Sequence, residues 1–537
     1  MTNDLVDDII VGAGSCGCVL ANRLSADPKR RVLLLEAGDV DNSLLISMPK
    51  GMGRLMRDPK RAWHFPVEQP REAGVPSTEV WVRGKMLGGS SSINGMIYSR
   101  GQPEDYSAWE ARGATGWGWP TMKAAFKAIE DHELGADEAR GQGGPVHVST
   151  GKFRYPVSEA LIEAGEQLGL TRKEDLNRED LQGVGYYAHT IRNGQRVSAS
   201  VAFLRPVADR KNLDVLTDVM VDRVLIENQR AIGVVARIGG TERIFRARGE
   251  VILSAGAIMS PKILQLSGIG PAELLQSLGI KVASNSPDVG ARMREHVGFL
   301  MTYRLLGDKG INQRYYGAGL FKSVLQYLVS HTGPMATGPF EVGAFIRTEP
   351  AIPKPNAQLY LGAFSMVRNS SRWTEVERKP GLTISGHLLQ ATSEGTLRIT
   401  SADPDAPLQI HPNWLTTPED ERAAVALVRY MRKYMQQQAL MQFVGEELFP
   451  GAACESDADV LKKFRKVCTS GLHGVATCRM GRDDRAVLDT RLRVRGVSGL
   501  RVVDCSAMPG LITGNTNGPA MAFGWHAANL ILEDRKN

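Results

Sequence analysis

Residues Ile9-Ile10-Val11-Gly12-Ala13-Gly14-Ser15-Cys16-Gly17 carry an apolar run into a glycine-rich turn and out into a helix-like segment. A G-x-G-x-x-G turn directly after a strand opens a doubly wound α/β sheet and binds a dinucleotide. Gly12 permits the tight turn, Gly14 lets backbone N–H groups approach a pyrophosphate, and Gly17 lets the helix expected from about Cys18 pack closely on the strand. The phosphates then face a helix N-terminus, where unpaired N–H groups and the helix dipole favour an anion. A second apolar run, Val32-Leu33-Leu34-Leu35, ends in Glu36, about 20 residues beyond the central glycine, the spacing that places a carboxylate on the adenosine ribose. An acid there disfavours a ribose that carries a 2′-phosphate.

With 537 residues, the chain exceeds the size of one core, and two or three compact units are expected. No apolar run is long enough to span a bilayer. The first strand starts so near the N-terminus that no room is left for a secretory signal, and the expectation is an intracellular, cytoplasmic protein. The formal net charge of +7 raises the question of a polyanionic partner. The basic residues are scattered, however, with only short runs such as Pro59-Lys60-Arg61 and Lys462-Lys463-Phe464-Arg465-Lys466. A solvated basic face is the expectation, with no nucleic-acid partner. The six cysteines are too few and too scattered for a disulfide framework. Cys16 and Cys18 alone cannot build a four-ligand zinc site, so no metal is expected.

The first 40 or so residues read strand, helix, strand. Helix-like segments follow over 104–132, with Trp109, Trp117 and Trp119 around a Gly-Pro turn. From Leu213 to Glu250 short β-like runs suggest a meander, and Val251-Ile252-Leu253 reads as a further, buried strand. Ser260-Pro261 is expected to open a helix that Gly268 closes. Between Val297 and Phe449 alternating segments such as Leu382-Thr383-Ile384-Ser385-Gly386-His387-Leu388 predict a separate antiparallel sheet. Near the C-terminus, Leu500-Arg501-Val502-Val503-Asp504 reads as a strand able to rejoin the N-terminal sheet, followed by a Gly-Asn loop and a helix through Leu532.

Three further segments have fixed spacings. Gly84-Lys85-Met86-Leu87-Gly88-Gly89-Ser90-Ser91-Ser92-Ile93-Asn94-Gly95 offers bare backbone and hydroxyls. The second runs Gly256-Ala257-Ile258-Met259-Ser260-Pro261 and on to Gly268-Ile269-Gly270. The third is His473-Gly474-Val475-Ala476-Thr477-Cys478-Arg479-Met480-Gly481, followed by Asp504 and Gly514-Asn515-Thr516-Asn517. Together with the first turn they resemble the signatures of the glucose-methanol-choline (GMC) oxidoreductases. The Ser-Ser-Ser-Ile-Asn form of the first signature and Phe340-Glu341-Val342-Gly343 resemble the choline dehydrogenase and bacterial alcohol dehydrogenase branch.

The resemblance implies an α/β fold. A Rossmann-like FAD-binding domain (1–155, 190–297 and 465–537) would carry a discontinuous substrate-binding domain built on an antiparallel sheet (156–189 and 298–464). It implies that Gly12, Gly14 and Gly17 meet the FAD pyrophosphate and Glu36 the ribose. Val221 would meet the adenine through its backbone, and Gly89, Ser90, Asn94, Asp504 and Thr516 would line the flavin and its chain. His473 is then the base that takes the hydroxyl proton of an alcohol, and Asn517 the residue that orients the hydroxyl. Relatives with covalently held FAD have a histidine where this chain has Ile93, so the cofactor is expected to be noncovalent.

Of the other histidines, His296 is expected to help join the domains and His526 to pack a helix. His64, His132, His147, His189, His331, His387 and His411 are expected to be structural. Asp8, Glu394 and the Trp525-His526 pair depart from the family pattern. The expected reaction is oxidation of a primary alcohol to the aldehyde, with electrons passing to a quinone-like carrier or to dioxygen. Choline dehydrogenation and a hydroxynitrile lyase on the same scaffold are the alternatives. A neutral alcohol, aromatic ones included, is favoured over choline, because only Trp63 and Phe340 suggest themselves for a cation cage. Glu341 is either a pocket carboxylate that would attract a cation or an exposed turn acid.

Overall fold

Two sheets organise the chain in the computed structural model, which describes residues 5–69, 78–368 and 374–536. In the first, the strands run in the order Leu213–Leu216, Val32–Leu35, Leu5–Val11, Thr241–Leu253, Arg230–Ile238, Val219–Glu227, with Leu500–Val502 also pairing to Thr241–Leu253. Ile9 is in register with Leu33 on one side and Val251 on the other, both parallel. Val32–Leu35 is buried along its whole length, as expected of a parallel strand covered on both faces. The helix Ser15–Leu24 begins ahead of Cys18 and runs against the last helix, Asn517–Asp534. A Cβ on Gly524 would lie 3.1 Å from Cys16 Cα, and Cys16 Sγ donates to Ala520 O at 3.0 Å.

The expected meander differs in two ways. Leu213–Leu216 is a parallel neighbour of Val32–Leu35, not part of a hairpin. Val251–Leu253 is the buried end of one 13-residue strand, Thr241–Leu253. Its outer half pairs antiparallel with Arg230–Ile238, and its inner end pairs parallel with Leu500–Val502. A strand that passes from an exposed hairpin into a covered sheet changes its polar pattern midway and so reads as two segments.

The second sheet has the order Val444–Phe449, Val297–Leu305, Gly381–Leu388, Ala357–Gly362, Val342–Ile346, Gly183–Tyr186, Arg172–Lys173, with Thr469–Ser470 also on Val297–Leu305. It is antiparallel except for the pair Arg172–Lys173 and Gly183–Tyr186. Phe299, Met301, Leu359 and Ile384 form its core with Leu427, Val428 and Met431 of the helix Pro418–Met435. Thr469–Ser470 falls in the segment expected in the FAD-binding domain, yet it pairs with Val297 and Gly298 of this sheet. The crossing between sheets therefore comes just before His473.

The helix expected to open at Ser260-Pro261 spans Gly256–Leu266, with Pro261 inside it. Proline cannot donate to the carbonyl four residues back. That carbonyl, Ala257 O, instead accepts from Thr477 Oγ1 at 2.7 Å. The partner that makes the internal proline tolerable lies in the His473–Gly481 segment, out of sight of any local reading. Among the described residues, no helix is long and apolar enough to cross a membrane.

Candidate active site

At the carboxyl ends of the parallel strands, a cavity of about 1760 Å³ including its mouth runs between the two sheets. Ligands sit at this edge of open α/β sheets. Its lining includes Gly12, Gly14, Glu36, Gly89, Ser90, Asn94, Val221, Asp504, Thr516, Asn517 and His473. Gly17 stands behind the turn.

The first glycine turn is shaped by close backbone approach. A Cβ on Gly12, whose φ is +97°, would lie 2.6 Å from Ser254 O, and one on Gly17 would lie 1.9 Å from Gly12 O. Gly14 faces open space, with nothing nearer to such a carbon than 3.9 Å. Gly88 N donates to Ala13 O at 2.8 Å, which seats the second glycine segment directly on the first.

The helices starting at Ser15 and Asn517 lack side-chain caps and have no acid in their first turns. Their starts are joined where Ser15 Oγ donates to Asn517 Oδ1 at 2.7 Å. Two uncapped N-termini side by side at a bare glycine cradle form a site suited to a pyrophosphate. The residues present thus fit the dinucleotide cofactor that the glycine spacing implies.

The carboxylates at this end also hold the protein's own backbone. Glu36 accepts from Ala13 N at 2.8 Å and from Gly38 N at 2.9 Å, and burial raises its pKa to about 7. Asp504 accepts from Gly256 N and Ser260 Oγ through one oxygen, and from Ser506 N and Ser506 Oγ through the other. It fixes the start of the Gly256–Leu266 helix. Asn94 Oδ1 accepts from Met96 N and Arg196 Nη1. Ile93 is buried on the cavity wall.

His473 is 9 % exposed, and its Nδ1 lies 3.0 Å from Nδ1 of the fully buried His296. Both backbone N–H groups donate to one oxygen of Glu295, at 2.7 Å from His473 and 2.9 Å from His296. The other oxygen lies 4.0 Å from Arg83 Nη2. Burial raises the Glu295 pKa to about 7.

On the cavity side, Asn515 Nδ2 lies 3.2 Å from His473 Nε2. Neighbouring donors orient this amide. Tyr187 OH donates to Leu359 O, so its oxygen accepts from Gln358 Nε2. The same amide nitrogen donates to Asn515 Oδ1 at 3.1 Å, leaving Asn515 Nδ2 to face the imidazole. Nε2 is then the acceptor and Nδ1 carries the proton toward His296. Burial, followed by the like charges that His296, His387 and Arg83 would present, pushes the His473 pKa well below the usual histidine range. Burial also lowers His296 to about 3 and His387 to about 4. The pocket therefore holds neutral imidazoles, with the Nε2 lone pair of His473 turned to Asn515 at the cavity wall.

Several expectations need correction. The asparagine against His473 is Asn515, not Asn517. Asn517 is the first residue of the last helix and turns to Ser15, whereas Asn515 precedes the helix and points to the second sheet. His296 does not simply join domains, because its ring meets that of His473. His387 stands beside the site, its ring centroid 6.2 Å from that of His473 and 4.9 Å from that of Tyr360. Glu341 is absent from the cavity lining, and burial raises its pKa against the pull of Lys50. Phe340 also lies outside, packed on Tyr360 and Phe364, while Trp63 is on the wall. His526 packs edge-on to Trp117 at 4.6 Å. Glu295, Gln358, Tyr360 and Arg83 carried no sequence signal of their own.

The GMC oxidoreductase family models match residues 6–298 and 391–524. The mitochondrial choline dehydrogenase of Mus musculus is 38% identical over 98% of this chain and 90% of its own. The alcohol dehydrogenase [acceptor] of Pseudomonas putida is 37% identical over 98% of this chain and 96% of its own. Among solved structures, the pyridoxine 4-oxidase of Mesorbium loti superposes with a TM-score of 0.89 at 30% identity, over 98% of this chain and 99% of its own. Matches of this extent, on a chain whose glycine cradle and His473 face one cavity, establish that it belongs to the GMC oxidoreductase family.

Proposed function

We propose that this oxidoreductase converts a neutral primary alcohol, aromatic ones included, to the aldehyde, with FAD held noncovalently. The single observation that carries the reading is the neutral His473 imidazole, its Nε2 facing the cavity beside Asn515. The glycine cradle at Gly12, Gly14 and Gly89 would hold FAD, which would supply the acceptor for a hydride from the alcohol carbon. The chain does the rest. Asn515 Nδ2 holds the substrate oxygen, His473 Nε2 takes its proton, and the Nδ1 proton stays directed at His296. Glu295 fixes both histidine backbones, so the imidazole gains charge without moving.

The cavity wall carries Met52, Met56, Trp63, Phe65, Ile93, Ile97 and Leu472, a surface suited to an uncharged alcohol. The only carboxylates among the described lining residues are Glu36 and Asp504. Both already accept backbone N–H donors, which argues against a cationic headgroup. Choline is the second reading, supported by the name of the mouse relative.

Comparing kcat/KM for benzyl alcohol, a medium-chain alkanol and choline with one electron acceptor decides between them. A clear choline preference overturns the first reading. Replacing a quinone analogue by dioxygen in the same assay identifies the electron acceptor. Flavin should leave the protein on acid precipitation, since Ile93 offers no nucleophile to bind it. Flavin that stays with the washed precipitate contradicts this.

A further inference from the structure

A second cleft, of about 760 Å³ including its mouth, opens where the two halves of the chain meet, lined by Arg112, Arg292, Arg294, Arg479, Glu394, Asp483, Ala476 and Pro509. Four arginines thus face two carboxylates, and the pairing within the cleft is uneven. Glu394 accepts from Arg292 at 3.0 Å and from Arg294 at 2.8 Å. Arg479 is bidentate to Asp483, both contacts being 2.7 Å, and also reaches Asp288 at 3.1 Å. The Arg112 guanidinium donates to Pro509 O at 3.3 Å. Among the described residues, no carboxylate lies within ion-pairing distance of it.

A seam that served only to join two surfaces would gain most from matched charges, since like charges facing each other repel. Here three of the arginines are paired, Arg292 also reaching Asp288 at 3.7 Å, and the Arg112 guanidinium meets them across an open space with no carboxylate of its own. The planar guanidinium forks suit the oxygens of a phosphate, which they can bind through paired N–H donors. The fixed carboxylates at Glu394 and Asp483 oppose a long polyanion lying across the cleft. A compact dianion meets the arginines with less of this penalty.

The cleft is joined to the catalytic histidines by backbone. Arg294 N donates to Val475 O at 3.2 Å, Val475 N to Arg294 O at 3.0 Å, and Gly471 N to His296 O at 2.7 Å. The segments 294–296 and 471–475 therefore form a short antiparallel ladder. Its outer end places Arg294 in the cleft, and its inner end places His296 against His473. Met293 and Gly395 exchange N–H···O bonds of 3.1 and 2.7 Å, which ties the Glu394 turn to the same ladder.

We propose that the arginine cleft binds a phosphate-class dianion, free or as a phosphate monoester, which clamps the two domains at the outer end of the histidine ladder. The ligand accepts from Arg112, on the side of the first sheet, and from Arg294, on the side of the second. It is bound outside the cofactor cavity and takes no part in the oxidation.

Calorimetric titration and thermal melts of the flavin-loaded enzyme with inorganic phosphate, against sodium chloride at matched ionic strength, test this. Saturable binding at one site is expected, with a melting temperature that rises along the same isotherm. Arg112→Ala should weaken that binding about tenfold or more and leave the flavin spectrum and alcohol-dependent turnover unchanged. Arg112→Lys should lie between the two, because a point charge replaces the fork. Arg248→Ala, at an exposed arginine paired with Asp7, should behave as wild type. Phenyl phosphate in the same titration separates the two sources: tighter binding than inorganic phosphate identifies a monoester site, equal or weaker binding a site for the free ion. Heats that do not saturate with either compound, or saturable binding that Arg112→Ala leaves intact, overturn the proposal.

Discussion

At the dinucleotide end of the cavity, the shape comes from two glycine segments, residues 12–17 and 88–89, whose backbones touch. At the catalytic end, His473, His296, Asn515, Gln358 and Tyr360 arrive from four separate stretches of chain and are brought into register largely by their side chains. The first end works by what is missing, since a single added methyl carbon at Gly17 would collide with backbone. The second works by what is present, a run of hydrogen bonds from Tyr187 through Gln358 and Asn515 to the imidazole pair. One end should therefore fail all at once when altered. The other should lose rate in steps while the cofactor stays bound.

The largest expected effect is at Gly17. Gly17→Ala places a carbon 1.9 Å from Gly12 O, a backbone atom that cannot rotate away, so the turn must open and FAD should not copurify. A wild-type flavin-to-protein absorbance ratio would break the comparison.

Next is His473→Ala, which should keep FAD and slow alcohol-dependent flavin reduction by about 10²-fold or more, the contribution of a positioned base. In the wild type this base is active when deprotonated, and burial holds its pKa well below 6.5. Anaerobic stopped-flow reduction should therefore stay flat as the pH falls from 8 to 6.5 and decline only at lower pH. A decline beginning above pH 7 would mean that another group accepts the proton.

A smaller effect separates the two asparagines. Asn515→Ala should slow flavin reduction by about tenfold, the scale of one lost hydrogen bond. Asn517→Ala, which frees Ser15 Oγ, should leave reduction within about twofold and weaken FAD retention instead. Equal kinetic effects would merge the two ends that the structure keeps apart. The smallest effect is expected from Glu341→Gln. The ratio of kcat/KM for choline to that for benzyl alcohol should not move, because the carboxylate lies outside the cavity lining, and a selective loss of choline activity would place it at the substrate.

Gly12, Gly14, Gly17 and Glu36 were legible because their constraints are local. A tight turn, a close helix and a carboxylate at the end of the next strand each act over a short span of chain, and few residue types satisfy them. His473 was legible through its motif. The Gly256–Leu266 helix was misread in its start, because the hydroxyl that satisfies Ala257 O belongs to Thr477. The Thr241–Leu253 strand was misread as two, because its surroundings change along its length.

By itself, the sequence determined a dinucleotide-binding α/β half, an antiparallel second half and the family, and it singled out His473, the histidine proposed as the base. Only the tertiary structure decided which asparagine faces that base, that His296 is its partner, and that Glu341 stands outside the cavity. Asn515 and Asn517 are two positions apart, and the start of a helix between them sends their side chains opposite ways. His296 and His473 lie far apart in the chain and meet because each borders a strand, Val297–Leu305 or Thr469–Ser470, that pairs in the second sheet. Spacing along a chain encodes backbone turns, whereas the direction of a side chain across an interface exists only once both sheets have been packed.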